Sequence, residues 1–245
     1  VVWPTNSRLN TYFYKKKTLT RKTRRLFTFK VWMIIIFTLP LSSCFEVIHE
    51  LNLNADGSGH VEFVLNFSRS ETKIQLLKLL DEVNGYKIPT DREIHEQVAS
   101  FADSARVSPG IKNVYSRYDE RSYSLEFKCD FDRVERLNDR IYSLWQQKEP
   151  TKAVREKYCT FVNNELTILI GARIMTLFKQ MKPADRDVLI GADYKSIMRF
   201  EKEVLSQTNK GSKLIPNKKV IIIESPILDL IQEPYLFNNL IKIKA

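Results

Sequence analysis

Three histidines and three cysteines are all that 245 residues provide, and the familiar catalytic spacings are missing. There is no His-Glu-x-x-His, Cys-x-x-Cys, Walker A or Gly-x-Ser-x-Gly, which removes the common local signatures of zinc hydrolysis, thiol redox, nucleotide and acyl chemistry. No catalytic residue, cofactor or metal site is expected, and the chain reads as non-enzymatic. His49 and His60 fall in one strand pair. With Asn54 set opposite His60, His49 faces Leu65, too far from His60 to share a metal. Carboxylates such as Glu46, Glu50 and Glu62 have the spacing of a solvated strand face.

Acidic residues are absent from the first 44 positions, which hold nine Lys and Arg; the remaining 30 basic residues nearly balance the 29 acidic ones. The net charge of +10 therefore belongs to the leader, and a nucleic-acid partner, which requires a basic surface on the folded domain, is not expected. A membrane-spanning run is lacking too. Residues 31–41 would extend about 16 Å as a helix, roughly half of a ~30 Å hydrocarbon layer. Pro40 disfavours a continuing helix. Basic segment, short apolar core and small residues together make a secretory signal peptide.

The leader closes on Leu41-Ser42-Ser43-Cys44, which resembles the lipobox of bacterial lipoproteins. The resemblance implies cleavage before Cys44 and acylation of its sulfur and new amino group, a multi-chain anchor at ~0.8 kcal/mol per buried methylene. The expected organisation is residues 1–43 as basic leader and signal peptide, with 44–245 as one lipid-anchored envelope domain. Because the chain opens on Val1, it reads as either a fragment or an over-extended reading frame, the second placing residues 3–20 outside the natural protein. Cys129 and Cys159 either form a disulfide or serve as two small buried hydrophobes.

With 43% hydrophobic residues the remainder can bury a core. Residues 45–53 and 61–67 alternate in polarity around Asp56-Gly57-Ser58-Gly59, which predicts a hairpin. Ser68 with Glu71 and Thr90 with Glu93 have capping-box spacing, predicting helices up to Gly85 and up to Ser108. A second hairpin is expected over 111–118 and 122–131. Asp130 or Asp132 would then cap a helix bearing Val134, Leu137, Ile141, Leu144 and Trp145 on one face. A polar connection over 146–156 precedes a third hairpin turning at Asn163-Asn164. Residues 174–182 fit helix or strand. Extended segments over 192–204, 218–224 and 240–243, with a short helix over 227–232, complete an α+β fold: antiparallel hairpins forming a sheet, with amphipathic helices packed on one face.

This order of features resembles a group of small lipoproteins of Bacteroidetes-type bacteria, through the lipobox, the Asp56-Gly57-Ser58-Gly59 turn, Gly110-Ile111-Lys112-Asn113-Val114, Leu125-Glu126-Phe127 and Leu137-Asn138. At the far end, residues 194–204, Lys218-Lys219-Val220 and Asn239-Leu240-Ile241 sit where that group carries its last strands. The group usually has Phe-Pro where this chain has Phe200-Glu201. More distantly the plan resembles the LppM-type lipoprotein domain, which implies a sheet-and-helix fold linked to envelope lipids. Two functions follow: an anchored structural or partner-binding module, or a carrier or sensor of a hydrophobic ligand between sheet and helices. Phe63, Phe67, Phe101, Tyr123, Phe127 and Trp145 suit a core or a pocket lining equally. Phe45-Glu46 after Cys44 differs from an inner-membrane retention signal, so the expected location is the periplasmic face of the outer membrane.

Overall fold

The computed structural model describes residues 45–83, 85–148 and 157–245. The expected lipobox Leu41-Ser42-Ser43-Cys44 and residues 149–156 lie outside them. The first hairpin joins β1 (Glu46–Leu53) to β2 (Gly59–Asn66). Its turn is centred on Asp56: Asn54 N–H donates to Ser58 O (2.9 Å), and Ser58 N–H and Oγ both donate to Asp56 Oδ1 (2.9 and 2.6 Å). Gly57 takes φ +84°. This centring moves the register by two residues from the expected one, so Asn52 faces His60 and His49 faces Phe63. A side chain at Gly59 is excluded, since its Cβ would lie 2.1 Å from Asn52 O.

The expected helix up to Gly85 is a single 3-10 turn followed by α1 (Glu71–Leu77). Neither segment has a side-chain cap. Asn66 Oδ1 instead accepts from Ser68 N–H at 3.0 Å. A helix of this length needs an apolar partner surface, and beyond it Leu79 is 80% exposed. The chain turns into a two-residue ladder of β3 (Glu82–Val83) and β4 (Tyr86–Lys87). In contrast, α2 (Asp91–Arg106) has the full capping box: Thr90 Oγ1 accepts from Glu93 N–H, and Glu93 Oε2 accepts from Thr90 N–H at 2.8 Å. This helix lies along the next strand, with Ala102 and Ala105 buried.

The second hairpin is β5 (Ile111–Asp119) with β6 (Ser124–Phe131), followed by α3 (Glu135–Lys148). Asp130 does not cap that helix. Its carboxylate accepts from Asn113 Nδ2 (2.6 Å) and pairs with His60 Nδ1 (2.7 Å) on the outer face of the sheet. The third hairpin, β7 (Cys159–Val162) and β8 (Glu165–Ile168), turns with Asn163 and Asn164 at φ 51° and 60°, the positive pair required by a two-residue turn of matching twist. The ambiguous stretch resolves into α4 (Gly171–Gln180), with the short α5 (Pro183–Arg186) after it. Then come β9 (Asp193–Phe200), β10 (Val204–Gln207), β11 (Ser212–Leu214), β12 (Val220–Pro226), α6 (Ile227–Gln232) and β13 (Asn239–Ile243).

The strands build two main sheets, where one was expected. The larger has the order β11-β12-β9-β1-β2-β6-β5, the smaller β10-β13-β8-β7. All pairings in the larger sheet are antiparallel except β1 with β9. The extended stretch over 192–204 is thus divided between sheets, crossing at Glu201, whose N–H donates to Leu53 O at 3.0 Å. A proline there would lack that donor. Among the helices, α2 lies along β5, α3 reaches β7, and α6 packs beside β12.

Leu53, Val61, Met198 and Ile221 from the large sheet and Leu166, Ile241 and Ile243 from the small one belong to one buried cluster with Val134 of the intervening chain. Asn138 ties α3 to the small sheet. Its Oδ1 accepts from Tyr158 N–H (2.9 Å) and Cys159 N–H (3.0 Å), and its Nδ2 donates to Cys159 O (2.5 Å). Asn138→Ala leaves these buried backbone groups without partners. It is expected to lower stability by roughly 2–4 kcal/mol, read as a fall in the urea midpoint at unchanged slope.

Candidate functional site

The side chains on the inner face of the large sheet follow directly from the strand register. One row runs Ile223, Ser196, His49, Phe63, Phe127 across β12, β9, β1, β2 and β6; the next runs Ile221, Met198, Leu51, Val61, Cys129. Opposite them stand Phe101 and Ala105 of α2, Leu137, Arg140 and Ile141 of α3, Cys159 and Ile168 of the small sheet and Ile174 of α4. Between the two layers lies a cavity of about 360 Å³, within the size range of small-molecule sites. Its lining is overwhelmingly apolar. Phe63 is 44% exposed although β2 is an interior strand and the side chain faces the covered side, so the cavity opens at this ring.

A few polar groups interrupt the lining. His49 stacks on Phe63 with ring centroids 4.7 Å apart, and its Nδ1 lies 3.1 Å from Ser196 Oγ. His49 lines the cavity. Burial pushes its pKa down to about 4, with Glu50 opposing weakly, so the ring is neutral at pH 7. Tyr194 meets Phe237 edge-on at 5.5 Å, and burial raises its phenol pKa. On the opposite wall, Arg140 Nη2 donates to Phe101 O (3.0 Å) and Ser104 Oγ (2.6 Å), while its guanidinium lies 4.8 Å from the Phe101 ring centre. Burial lowers the arginine's pKa, though a guanidinium stays charged at neutral pH.

Cys129 and Cys159 both line this cavity and both are free thiols; the alternative of a disulfide between them is not realised. They belong to strands of different sheets, and Cys159 Sγ is turned toward Val134 O (3.4 Å) and Asn138 Oδ1 (3.5 Å). Burial pushes the Cys129 pKa up to about 11 and that of Cys159 up to about 12. Thiols this far from ionisation are poor nucleophiles and contribute to the wall as small hydrophobes.

The three histidines are dispersed. His49 is in the cavity, His60 pairs with Asp130 on the outer face, and His95 lies 2.8 Å from Glu120 beyond the edge strand. Among the described residues, no group of three His, Cys, Asp or Glu is gathered that could hold a metal, and no helix is long and apolar enough to cross a membrane. Glu62 and Glu50 occupy the outer face, in cross-strand pairs with Lys128 (3.3 Å) and Arg199. Of the aromatics singled out from the sequence, Phe63, Phe101 and Phe127 line the cavity. Phe67 packs on Phe45 at 5.2 Å, and Tyr123 lies 4.6 Å from Lys78 Nζ. The Trp145 side chain is outside the described ones.

Sequence reading passed over His49 and Arg140 as site residues. Both were marked: His49 has the same strand parity as Leu51 and Leu53, and Arg140 sits between Leu137 and Ile141 on the apolar stripe of α3.

No family model matches the chain, and no curated protein matches it. Among solved structures, the NMR structure of the LppM folded domain from Mycobacterium tuberculosis is similar at a TM-score of 0.34 and 11% identity, covering 76% of this chain and 84% of that one. The likeness is weak, and the functional reading rests on the cavity.

The burial of His49 makes stability depend on pH. The unfolded chain protonates this ring below about pH 6.5 and the folded chain only near pH 4. Unfolding is therefore favoured progressively as pH falls through that window, by up to roughly 3 kcal/mol at ~1.4 kcal/mol per pKa unit. Above pH 6.5 the full stability is present. Chemical denaturation at pH 7 and pH 4.5 should show a smaller loss for His49→Phe than for the wild type; equal losses would exclude this ring as the source.

Proposed function

We propose that the protein is a non-enzymatic, lipid-anchored envelope protein that carries or senses a hydrophobic ligand between its large sheet and the elements that cross it. The observation behind this reading is the apolar cavity of about 360 Å³. A binding module without a ligand would gain more from a filled core, because each unfilled volume forfeits packing contacts. The anchor at Cys44 and the lipobox Leu41-Ser42-Ser43-Cys44 belong to the same proposal and rest on the leader sequence. To it also belong the periplasmic face of the outer membrane, which rests on Phe45-Glu46, and membership of the Bacteroidetes-type lipoprotein group, which rests on the lipobox together with the turn and strand motifs after it. No nucleic acid and no cofactor enter it.

The partner-binding reading keeps one observation of its own. Leu76, Leu79 and Leu80 are exposed on and just after α1, an apolar group of the kind that docks on another surface.

Native mass spectrometry of the full chain released from membranes in mild detergent should show a retained lipid. Ile141→Trp, which fills the cavity from α3, should weaken binding of a neutral fluorescent probe such as N-phenyl-1-naphthylamine by about tenfold, worth ~1.4 kcal/mol. A protein that is always ligand-free and never binds the probe would overturn the carrier. For the anchor, Cys44→Ala should abolish acyl labelling and release the protein from outer-membrane fractions; label retained by the variant would end that part of the proposal.

A further inference from the structure

Arg140 is 8% exposed, lines the cavity, and carries the only formal charge among the lining residues, His49 being neutral. Its hydrogen bonding is incomplete. Nη2 is committed to Phe101 O and Ser104 Oγ. Among the described residues Nε has no partner, Nη1 meets no acceptor, and no carboxylate pairs with the guanidinium. The lowering of its pKa by burial, opposed only by the Cys129 thiol, agrees with that isolation. An arginine taken out of water without a counter-charge is strongly disfavoured. This one lies on the apolar stripe of α3, where a leucine would pack without penalty, and two groups of α2 hold it in place.

We propose that Arg140 anchors the head group of a monoanionic, single-chain amphiphile, a fatty acid, whose carboxylate completes the guanidinium's hydrogen bonding while its alkyl chain occupies the cavity. The proposal rests on the carrier reading and specifies its ligand. One cation balances one negative charge; a dianionic phosphate would leave excess charge against an apolar wall. A phosphodiester head would bring polar substituents for which the few uncharged polar side chains of an otherwise apolar lining, such as His49, Ser196 and Asn239, offer little. Arg140 stacks on Phe101, Phe101 meets Phe127 at 4.7 Å, and Phe127 is the register partner of Phe63. The head group therefore lies toward the opening at Phe63, and the chain runs inward over Leu51, Met198 and Ile223.

The test uses the delipidated full chain loaded with N-phenyl-1-naphthylamine, displaced by laurate, methyl laurate or dodecyl phosphate. Laurate should displace the probe at roughly ten- to hundredfold lower concentration than its uncharged ester, the span expected of a charge-assisted hydrogen bond. Arg140→Met should erase that gap, and Arg140→Lys should restore part of it. Equal potency of laurate and ester on the wild type, or a gap that survives in Arg140→Met, overturns the proposal with the carrier intact. Dodecyl phosphate displacing more strongly than laurate overturns the assignment of a carboxylate. Failure of the probe and all three amphiphiles to bind overturns the carrier reading itself. The wild-type comparison decides the matter even where Arg140→Met fails to fold, which circular dichroism would reveal.

Discussion

The parallel pairing of β1 with β9 is the constraint on which the rest of this structure depends. β1 is hydrogen-bonded on one side to its hairpin partner β2 and on the other to a strand about 147 residues later, His49 facing Ser196. Parallel neighbours cannot be joined by a tight turn. In this sheet β6 and β5 lie on the far side of β2, so the chain leaving β6 must pass back over β2 and β1 before it can enter β9. That return crossing contains α3, the β7-β8 hairpin and α4, which together supply much of the cavity's roof. The cavity thus follows from strand order: the pairing that closes the sheet also sends a mixed layer of helix and strand over its inner face.

A mixed roof makes contact unevenly. Leu166, Ile241 and Ile243 reach the same buried cluster as Leu53, Val61 and Met198, sealing one end of the interlayer. At Phe63, which is 44% exposed, the inner face stays open. Side chains on the two faces of the sheet then have different roles. Outside, Lys128 with Glu62 and Lys195 with Glu224 (3.6 Å) pair across strands in water, where each contact is worth at most about 1 kcal/mol. Inside, an imidazole and a guanidinium without carboxylate partners among the described residues sit in apolar surroundings, where the same groups cost far more to hold and cannot be exchanged freely.

Much of the local structure was legible. Alternation located the first three hairpins because one face of each is buried, and the Asn163-Asn164 turn and the Thr90-Glu93 box have the chemistry their geometry requires. The helix expected up to Gly85 did not form at full length, since amphipathic spacing promises a helix only where another surface receives its apolar side. Leu79 and Leu80 have none. The hairpin register slipped by two residues because the Asp56 carboxylate, bonding Ser58, recentred a turn that glycine alone would have placed later.

From the sequence alone come the polarity of each strand, the concentration of basic charge in the first 44 residues, and the placement of His49 and Arg140 on apolar faces. Those properties are local, set by neighbours within a few residues. The division into two sheets, the parallel β1-β9 pair, the separation of Cys129 from Cys159 as unbridged thiols, and the space between the layers were decided only by tertiary structure. Each depends on which strand accepts the free edge of β1, and hydrogen-bonding edges are alike in every strand. The choice falls to the packing of side chains more than a hundred residues apart, which periodicity cannot encode.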